Sequence, residues 1–414
     1  MLSLPSLPLP VRIYNGVRRL ASRVGLPVGR LDANTLMERA RTNTGLSDFG
    51  PDTFREPLEH LIASLVADAG LTALGYDIAA QQLTGALENR LRLNECIARE
   101  PEVTRGEITR PVFIVGMPRT GTSILHELVA QDPNVRVPLT WEVTSPTPPP
   151  ETASYASDPR IRECNESLAG TDRLIPGFRK MHRMDAQLPQ EDVSMTSLEF
   201  TSMLYEASFR LPSYTAWFHR DADMRPAYRL HRRFLQVLQW RCPADRWILK
   251  TPGHLWALDS LLAEYPDACL IQTHRDPLQI VSSLTSLLTT LRALASDRVD
   301  PHDIAREWSE LNAQAYDASI EARESGLIAP DQVIDIHFHD FMADPFAQIQ
   351  RIYAKFGLDY TDAADARMRA YLAEHSDEEH GKHAHRFKDT GLDVGEARER
   401  VARYVDYFDI PSEV

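Results

Sequence analysis

The stretch that decides the fold is Gly116-Met117-Pro118-Arg119-Thr120-Gly121-Thr122-Ser123. It follows an apolar run, residues 111–115, and precedes a helical pattern over residues 124–130. A strand, a short glycine-containing loop and a helix N-terminus in this order direct several backbone N–H groups and the positive end of a helix dipole toward one point. The pattern therefore predicts a binding site for phosphate or sulfate.

The glycine spacing of this loop is that of a nucleotide-binding P-loop, GxxxxGK[ST], with one substitution. Thr122 occupies the position of the lysine that nucleotide hydrolases place on the β- and γ-phosphates, and the cation has moved to Arg119. Loss of that lysine counts against a kinase or NTPase. The alternative interpretation is an ordinary glycine turn between a strand and a helix.

A second strand-to-helix junction reads Leu270-Ile271-Gln272-Thr273-His274-Arg275-Asp276-Pro277. Arg275 ends the predicted strand, Asp276 is a typical helix N-cap, and Pro277 fits the first helical position. An arginine at a strand end presents a planar fork to phosphate oxygens. Alternatively, the junction merely starts a helix and Arg275 lies on the surface.

The two junctions resemble those of the sulfotransferases that use 3′-phosphoadenosine-5′-phosphosulfate (PAPS), whose 5′-phosphosulfate loop reads P-[KR]-[ST]-G-[TS]-[TS]. The arginine variant, residues 118–123, is more similar to the bacterial and tyrosylprotein enzymes than to the cytosolic small-molecule enzymes. The resemblance implies PAPS as co-substrate, with its 5′ end bound by Arg119, Thr120, Gly121, Thr122 and Ser123. The family also pairs an arginine with a serine eight positions later, which implies that Arg275 and Ser283 bind the 3′-phosphate.

A third segment, residues 338–345, resembles the family pattern Y-x-D-L-x-x-[DN]-P, with Phe338 in place of the tyrosine. Phe338 keeps the ring that would stack on adenine but lacks the hydroxyl. The resemblance implies an α/β fold in which a central parallel sheet of the P-loop type is flanked by helices over residues 110–360. Residues 1–109 are predicted to form a helical N-terminal region, interrupted at Gly70 and Gly75, and residues 361–414 a helical C-terminal extension.

Short apolar runs and helical patterns alternate within the predicted core, as expected of a parallel sheet with crossover helices. The predicted strands are 112–115, 246–249, 268–273 and 332–336. The predicted helices are 124–131, 195–209, 227–240, 253–264, 278–294, 303–324 and 345–356.

Sulfuryl transfer to an alcohol requires a base, positive charge on the sulfuryl oxygens and stabilisation of the leaving phosphate, none of which needs a metal. Arg119 and Lys250, which ends a predicted strand, are the candidate cations. The tyrosylprotein enzymes place a glutamate about twenty residues after the loop, so the resemblance implies Glu142 as the base. His254, close to Lys250, is the rival base.

The composition limits the partners. A net charge of −14 argues against binding of the whole chain to nucleic acid or anionic membranes. No apolar run predicts a transmembrane span and the N-terminus lacks a signal-peptide pattern, so a cytoplasmic location is expected. Four dispersed cysteines predict reduced thiols, and the histidines at 380, 383 and 385 predict a surface or anion-contacting role rather than a metal site.

The acceptor is the least determined part. Bacterial relatives imply a hydroxyl group on a small molecule, a sugar or a lipid, and the apolar residues of the segment 174–218 are candidates for its pocket or simply for core. A non-catalytic PAPS- or phosphonucleotide-binding protein and an atypical nucleotide kinase are the alternatives. The oligomeric state is left open.

Overall fold

A computed structural model describes residues 7–23, 30–174, 185–243, 245–375 and 386–414. Its parallel strands are β1 (Val112–Ile114), β2 (Val135–Arg136), β3 (Arg246–Lys250), β4 (Cys269–His274) and β5 (Val333–His337). They form one sheet in the order β2-β3-β1-β4-β5, which places β1 at its centre. The sequence predicted every one of these strands except β2, whose two residues are too few for an apolar pattern to register.

Helices flank the sheet, and further helices precede its first strand and follow its last strand in the sequence. They are α1 (Leu9–Arg23), α2 (Ala33–Thr44), α3 (Arg55–Ala67), α4 (Ala73–Arg99), α5 (Thr122–Val129), α6 (Thr140–Thr144), α7 (Pro159–Leu174), α8 (Val193–Thr196), α9 (Met203–Ser208), α10 (Pro212–Arg220), α11 (Arg225–Gln239), α12 (Leu258–Glu264), α13 (Pro277–Ala295), α14 (Pro301–Glu324), α15 (Phe338–Ala343), α16 (Pro345–Phe356), α17 (Asp362–Glu374), α18 (Val394–Arg400) and α19 (Ala402–Tyr407). This architecture confirms the predicted α/β fold with helical additions.

Alternate residues of the central strands bury their side chains on opposite faces of the sheet. Phe113 and Leu270 join the core beneath α11 and α14, whereas Ile114 and Ile271 join the core beneath α5 and α16. Burial on both faces explains why these strands read as continuous apolar runs. The register aligns Ile114 with Lys250 and with Ile271, so β1, β3 and β4 end at one edge.

The predicted break at Gly75 is wrong. Helix α4 runs through Gly75 without interruption, and a Cβ atom there would lie 2.0 Å from the carbonyl oxygen of Ala295 at the end of α13. The glycine therefore permits close packing of α4 against α13 rather than ending a helix. Gly70, at a φ of +58°, does mark a chain reversal before α4.

The predicted helix 195–209 is divided in the structure into α8, a 3-10 turn and α9, and Pro252–Trp256 form a 3-10 helix before α12. Within the described residues, one helix, α13, is long and apolar enough to span a membrane by length and composition. Of its apolar window, 72% is buried inside the protein, which accounts for that composition by packing against α14 and α4.

Candidate active site

The loop between β1 and α5 is held by side-chain contacts that leave its backbone facing the sheet edge. The Thr120 hydroxyl donates to the Met117 carbonyl at 2.6 Å and lies 2.5 Å from the Thr273 hydroxyl of β4. A Cβ atom on Gly116 would lie 1.6 Å from that same Thr273 oxygen, so only glycine fits. The loop is therefore fixed against β4 before any ligand binds.

Two residues of the loop have left-handed backbone conformations, Gly121 at a φ of +85° and Arg119 at +72°. Arginine rarely adopts this conformation, and such strain is typical of ligand-binding loops. Gly121 is the N-cap of α5 and no side chain caps that helix. The first N–H groups of α5, at Thr122 and Ser123, are thus left for an anion.

The Arg119 guanidinium is the clearest sign of an anion site. Its Nε atom is buried and has no hydrogen-bond partner within the described part of the chain. Burial, reinforced by the nearby charge of Arg275, lowers the pKa of Arg119. Arg119 is half-buried and has no ion-pair partner among the residues that the structure describes. A partly buried cation without a counter-charge is costly, and a phosphate or sulfate would offset that cost.

The structure brings the second motif to the first. Nη1 of Arg275 donates to the Arg119 carbonyl oxygen at 3.0 Å, although the two residues lie 156 positions apart. Phe338 completes the cluster, because the Arg275 guanidinium lies 3.9 Å from the centre of its ring and a Cβ atom built on Gly121 would lie 3.4 Å from the ring. Ser283 lies buried on the second turn of α13, the helix that Asp276 caps.

The fork of Arg275 already holds a carboxylate. Its Nε donates to Oε1 of Glu413 at 2.9 Å and its Nη2 donates to Oε2 at 2.8 Å. The segment around Glu413 is anchored by Asp276, whose Oδ2 accepts the Glu413 N–H at 2.6 Å and which also binds Arg398. No sequence motif indicated this contact, since it joins groups 138 positions apart.

Lys250 ends β3 in register with the end of β1, on the same sheet edge as the loop. Its buried ammonium lies 2.5 Å from Oε1 of Glu191, and the Thr251 hydroxyl lies 3.4 Å from Oε2. The Glu191 side chain is 27% exposed, so part of its carboxylate faces solvent. No sequence pattern pointed to Glu191, which lies in the long segment between the predicted strands 112–115 and 246–249.

Glu142 has contacts that fit a structural role better than that of a base. Its side chain is fully buried, pairs with Arg136 and accepts the Leu139 N–H at 3.0 Å, which caps α6. Arg136 is itself held by the carbonyl oxygens of Leu238 and Cys242. Both carboxylate oxygens are therefore used to fix the short helix after β2.

His254 is likewise committed on both ring nitrogens. Nδ1 lies 2.9 Å from the Tyr228 hydroxyl and Nε2 lies 2.9 Å from Oδ2 of Asp192. The same Asp192 oxygen meets Nε2 of His231 at 3.1 Å. We call these fully buried groups, Asp192, His231 and His254, the Asp192 network. A base needs a free nitrogen facing the acceptor, which His254 lacks here.

A cavity of about 380 Å³ opens beyond the end of β3. Its walls include Gly253 and Trp256 from the turn after Lys250 and Phe218, His219 and Met224 from the segment 212–225. Of the apolar residues expected near the acceptor, Tyr205 and Phe209 instead belong to the core under the N-terminal helices. Residues 175–184 and the histidines at 380, 383 and 385 lie outside the described residues.

Comparisons with known proteins agree with this geometry. A protein-family model described as "Sulfotransferase family" matches residues 111–362. The fold is similar to the crystal structure of sulfotransferase STF1 from Mycobacterium tuberculosis H37Rv, with a TM-score of 0.81 and 32% sequence identity. The alignment covers 90% of this chain and 98% of that one. Sulfotransferase STF9 from Mycobacterium avium has 30% sequence identity and a TM-score of 0.85, and the alignment covers 93% of this chain and 100% of that one.

A further relative is the omega-hydroxy-beta-dihydromenaquinone-9 sulfotransferase Stf3 of Mycobacterium bovis. It is 29% identical over 281 residues, which make up 64% of this chain and 68% of that protein. Within the described residues, no group of three or more histidine, cysteine or carboxylate side chains is arranged to hold a metal ion.

Proposed function

Because the chain belongs to the sulfotransferase family, an enzyme family that takes its sulfuryl group from PAPS, we propose that the edge formed by the loop, Arg275 and Lys250 is where that group passes to a hydroxyl acceptor. The observation that carries the proposal is the contact between Arg275 and the Arg119 carbonyl, which unites two anion-binding motifs from distant parts of the sequence. The Nε of Arg119, which has no hydrogen-bond partner among the residues that the structure describes, supports an anion at this point.

PAPS, when bound, supplies the sulfuryl group and leaves as 3′-phosphoadenosine-5′-phosphate (PAP). Arg119, Thr120 and the N-terminus of α5, from Gly121 to Ser123, would hold its 5′ end. Arg275 and Ser283 would hold the 3′-phosphate, and Phe338 would stack on the base. The support is their shared location: the Arg275 guanidinium stacks on Phe338, and the Phe338 ring lies 3.4 Å from the place that a Cβ atom on Gly121 would occupy.

We assign the base to Glu191 rather than to Glu142 or His254. Glu191 pairs with Lys250 and is partly exposed. Glu142 and His254 are buried, and each polar atom of their side chains has a hydrogen-bond partner, as described above. Oε2 of Glu191 would accept the proton of the acceptor hydroxyl, because its hydrogen bond within the described residues is the long one from Thr251. Lys250 Nζ would then turn its positive charge toward the negative charge that develops on the leaving phosphate.

The acceptor carries a hydroxyl group on a small molecule or lipid, and we propose a lipid. The name of the Mycobacterium bovis relative specifies a hydroxylated menaquinone. The wall of the cavity beside Gly253 contains both apolar side chains (Phe218, Met224 and Trp256) and charged ones (Asp223, Arg225 and Asp259). We further propose that residues 110–360 form the PAPS-binding core between the helical segments 1–109 and 361–414, consistent with the family match over 111–362.

Four free cysteines, three of them buried, support a cytoplasmic location.

Isothermal titration calorimetry in EDTA tests the cofactor site. PAP should bind more tightly than AMP, because AMP lacks the 3′-phosphate that Arg275 would hold. Equal affinities would overturn the assignment of Arg275 and Ser283. Transfer of labelled sulfate from PAPS to hydroxylated lipids then separates an enzyme from a binding protein, while phosphoryl transfer from ATP would indicate a kinase.

A further inference from the structure

Helix α1 carries an exposed apolar stripe on its outer face. Leu9, Ile13, Val17 and Leu20 are 57–64% exposed and recur at intervals of four, four and three residues, which places them on one side of the helix. Single exposed apolar residues are ordinary, but a contiguous row of four large ones marks a surface that a partner covers.

The other side of α1 is fixed to the protein, so the orientation of this stripe is set. Val11 is buried, Oδ1 of Asn15 accepts the Leu74 N–H at 3.0 Å, and the Tyr14 hydroxyl donates to Asp77 at 2.5 Å. These contacts attach α1 to α4. The apolar stripe consequently faces away from the body of the molecule.

The charge of α1 is opposite to that of the chain. The helix contains four arginines, at positions 12, 18, 19 and 23, and no acidic residue, whereas the whole chain has a net charge of −14. Arg12 and Arg19 are exposed, and Arg19 pairs with the half-exposed Asp297. A second copy docked symmetrically on the stripe would bring the two sets of arginines together, which disfavours that occupant.

We propose that α1 binds the surface of an anionic phospholipid bilayer, with the apolar stripe at the acyl boundary and the exposed Arg12 and Arg19 at the lipid phosphates. An amphipathic helix with large aliphatic residues on one face and arginines beside them has the chemistry of an interfacial anchor. The net negative charge of the remaining surface makes the attachment local to α1. This binding does not depend on the assignment of the acceptor.

Co-sedimentation of the full-length protein with vesicles tests this proposal. We expect binding to vesicles of phosphatidylcholine with phosphatidylglycerol and little binding to phosphatidylcholine alone. The double variant Ile13→Asn/Val17→Asn and the charge variant Arg12→Glu should each weaken binding on the order of tenfold or more. Val66→Asn, which changes a 54%-exposed valine on α3, is the matched control and should bind as the wild type does.

Each variant should keep its thermal midpoint and its PAP affinity, so that a loss of vesicle binding is separable from unfolding and from failure of the cofactor site. Absence of binding to the anionic vesicles, or binding equal for both vesicle types, would overturn the proposal. So would a concentration-dependent dimer, detected by light scattering, that Ile13→Asn/Val17→Asn converts to a monomer, because a second copy would then cover the stripe.

Discussion

Glu191 and Asp192 are neighbours in sequence with opposite surroundings. Glu191 faces the sheet edge, meets Lys250 and keeps 27% of its side chain exposed. Asp192 is fully buried and its Oδ2 lies between two histidine rings. A carboxylate at a solvent-facing edge can exchange a proton with a substrate, whereas one enclosed by histidines stabilises the fold.

The same contrast separates the cations of this edge. Arg119 is half-buried and has no ion-pair partner within the described residues, whereas Arg136 is buried against Glu142 and two carbonyl oxygens. The Nε atom of each arginine lacks a hydrogen bond in the described part of the chain. The missing counter-charge, and not the Nε atom, therefore distinguishes Arg119 as available to an anion. The variants below test that distinction.

Glu191→Gln should have the largest effect on activity. Loss of a positioned base lowers turnover roughly 100- to 10,000-fold, with PAP affinity and unfolding free energy nearly unchanged. Steady-state kinetics with a working acceptor and calorimetry with PAP measure the two quantities. If Glu191→Gln kept its turnover while Glu142→Gln or His254→Asn lost it in a folded protein, the base would belong to one of those residues.

Asp192→Asn should act on stability instead. Removing the charge that faces two buried histidines costs about 3–5 kcal/mol of unfolding free energy, which urea denaturation measures. Burial alone would raise the pKa of Asp192, but the charge and hydrogen bonds of His254 and His231 hold it well below its usual range. A wild-type unfolding free energy for this variant would contradict the structural role of the network.

The depressed pKa of Asp192 also sets the direction of the pH dependence. Because the native pKa lies below that of the unfolded chain, the contribution of Asp192 is present above a pH of about 4 and is lost as the pH falls further. Below this pH, the unfolding free energy of the wild type should therefore fall more steeply than that of Asp192→Asn. The difference in slope should reach up to about 1.4 kcal/mol per pH unit.

Arg119→Ala and Arg275→Ala should weaken PAP binding roughly 10- to 150-fold each, since each removes a charge-assisted contact of about 1.5–3 kcal/mol. The two variants should differ with AMP. Arg119→Ala should weaken AMP as well, whereas Arg275→Ala should leave AMP affinity unchanged because AMP has no 3′-phosphate. Calorimetry with both nucleotides distinguishes these patterns, and a uniform loss in both variants would contradict the division of roles.

Glu413→Gln should have the smallest effect, in the opposite direction. Removing a partly buried ion pair with Arg275 should tighten PAP binding by about 1 kcal/mol or less, up to roughly fivefold. Glu399→Gln, an exposed change on the same C-terminal segment, is the control. Weaker binding of PAP to Glu413→Gln would show that Glu413 supports Arg275 rather than competing for it.

Local sequence predicted the backbone geometry of the two strand-to-helix junctions because each signal there acts within a few residues. Gly121 at positive φ, the N-cap Asp276 and Pro277 at the first turn have the geometry that their residue types favour. The environments of Glu142 and His254 depended on partners brought in by tertiary packing: Arg136 joins Leu238 and Cys242 to α6, and Asp192 joins β3 to α11. Gly75 misled for the same reason, since its packing partner is Ala295.

If Arg275 holds the 3′-phosphate of PAP as proposed, the carboxylate of Glu413 makes the protein its own competitor. A tethered group occupies the Arg275 fork at a fixed effective concentration that does not fall when the protein is diluted. The apparent affinity for PAP is then the intrinsic affinity multiplied by the fraction of molecules in which the fork is open. Added salt weakens the internal pair together with the pair to the nucleotide, so PAP binding should depend less on ionic strength than the two arginines alone would predict.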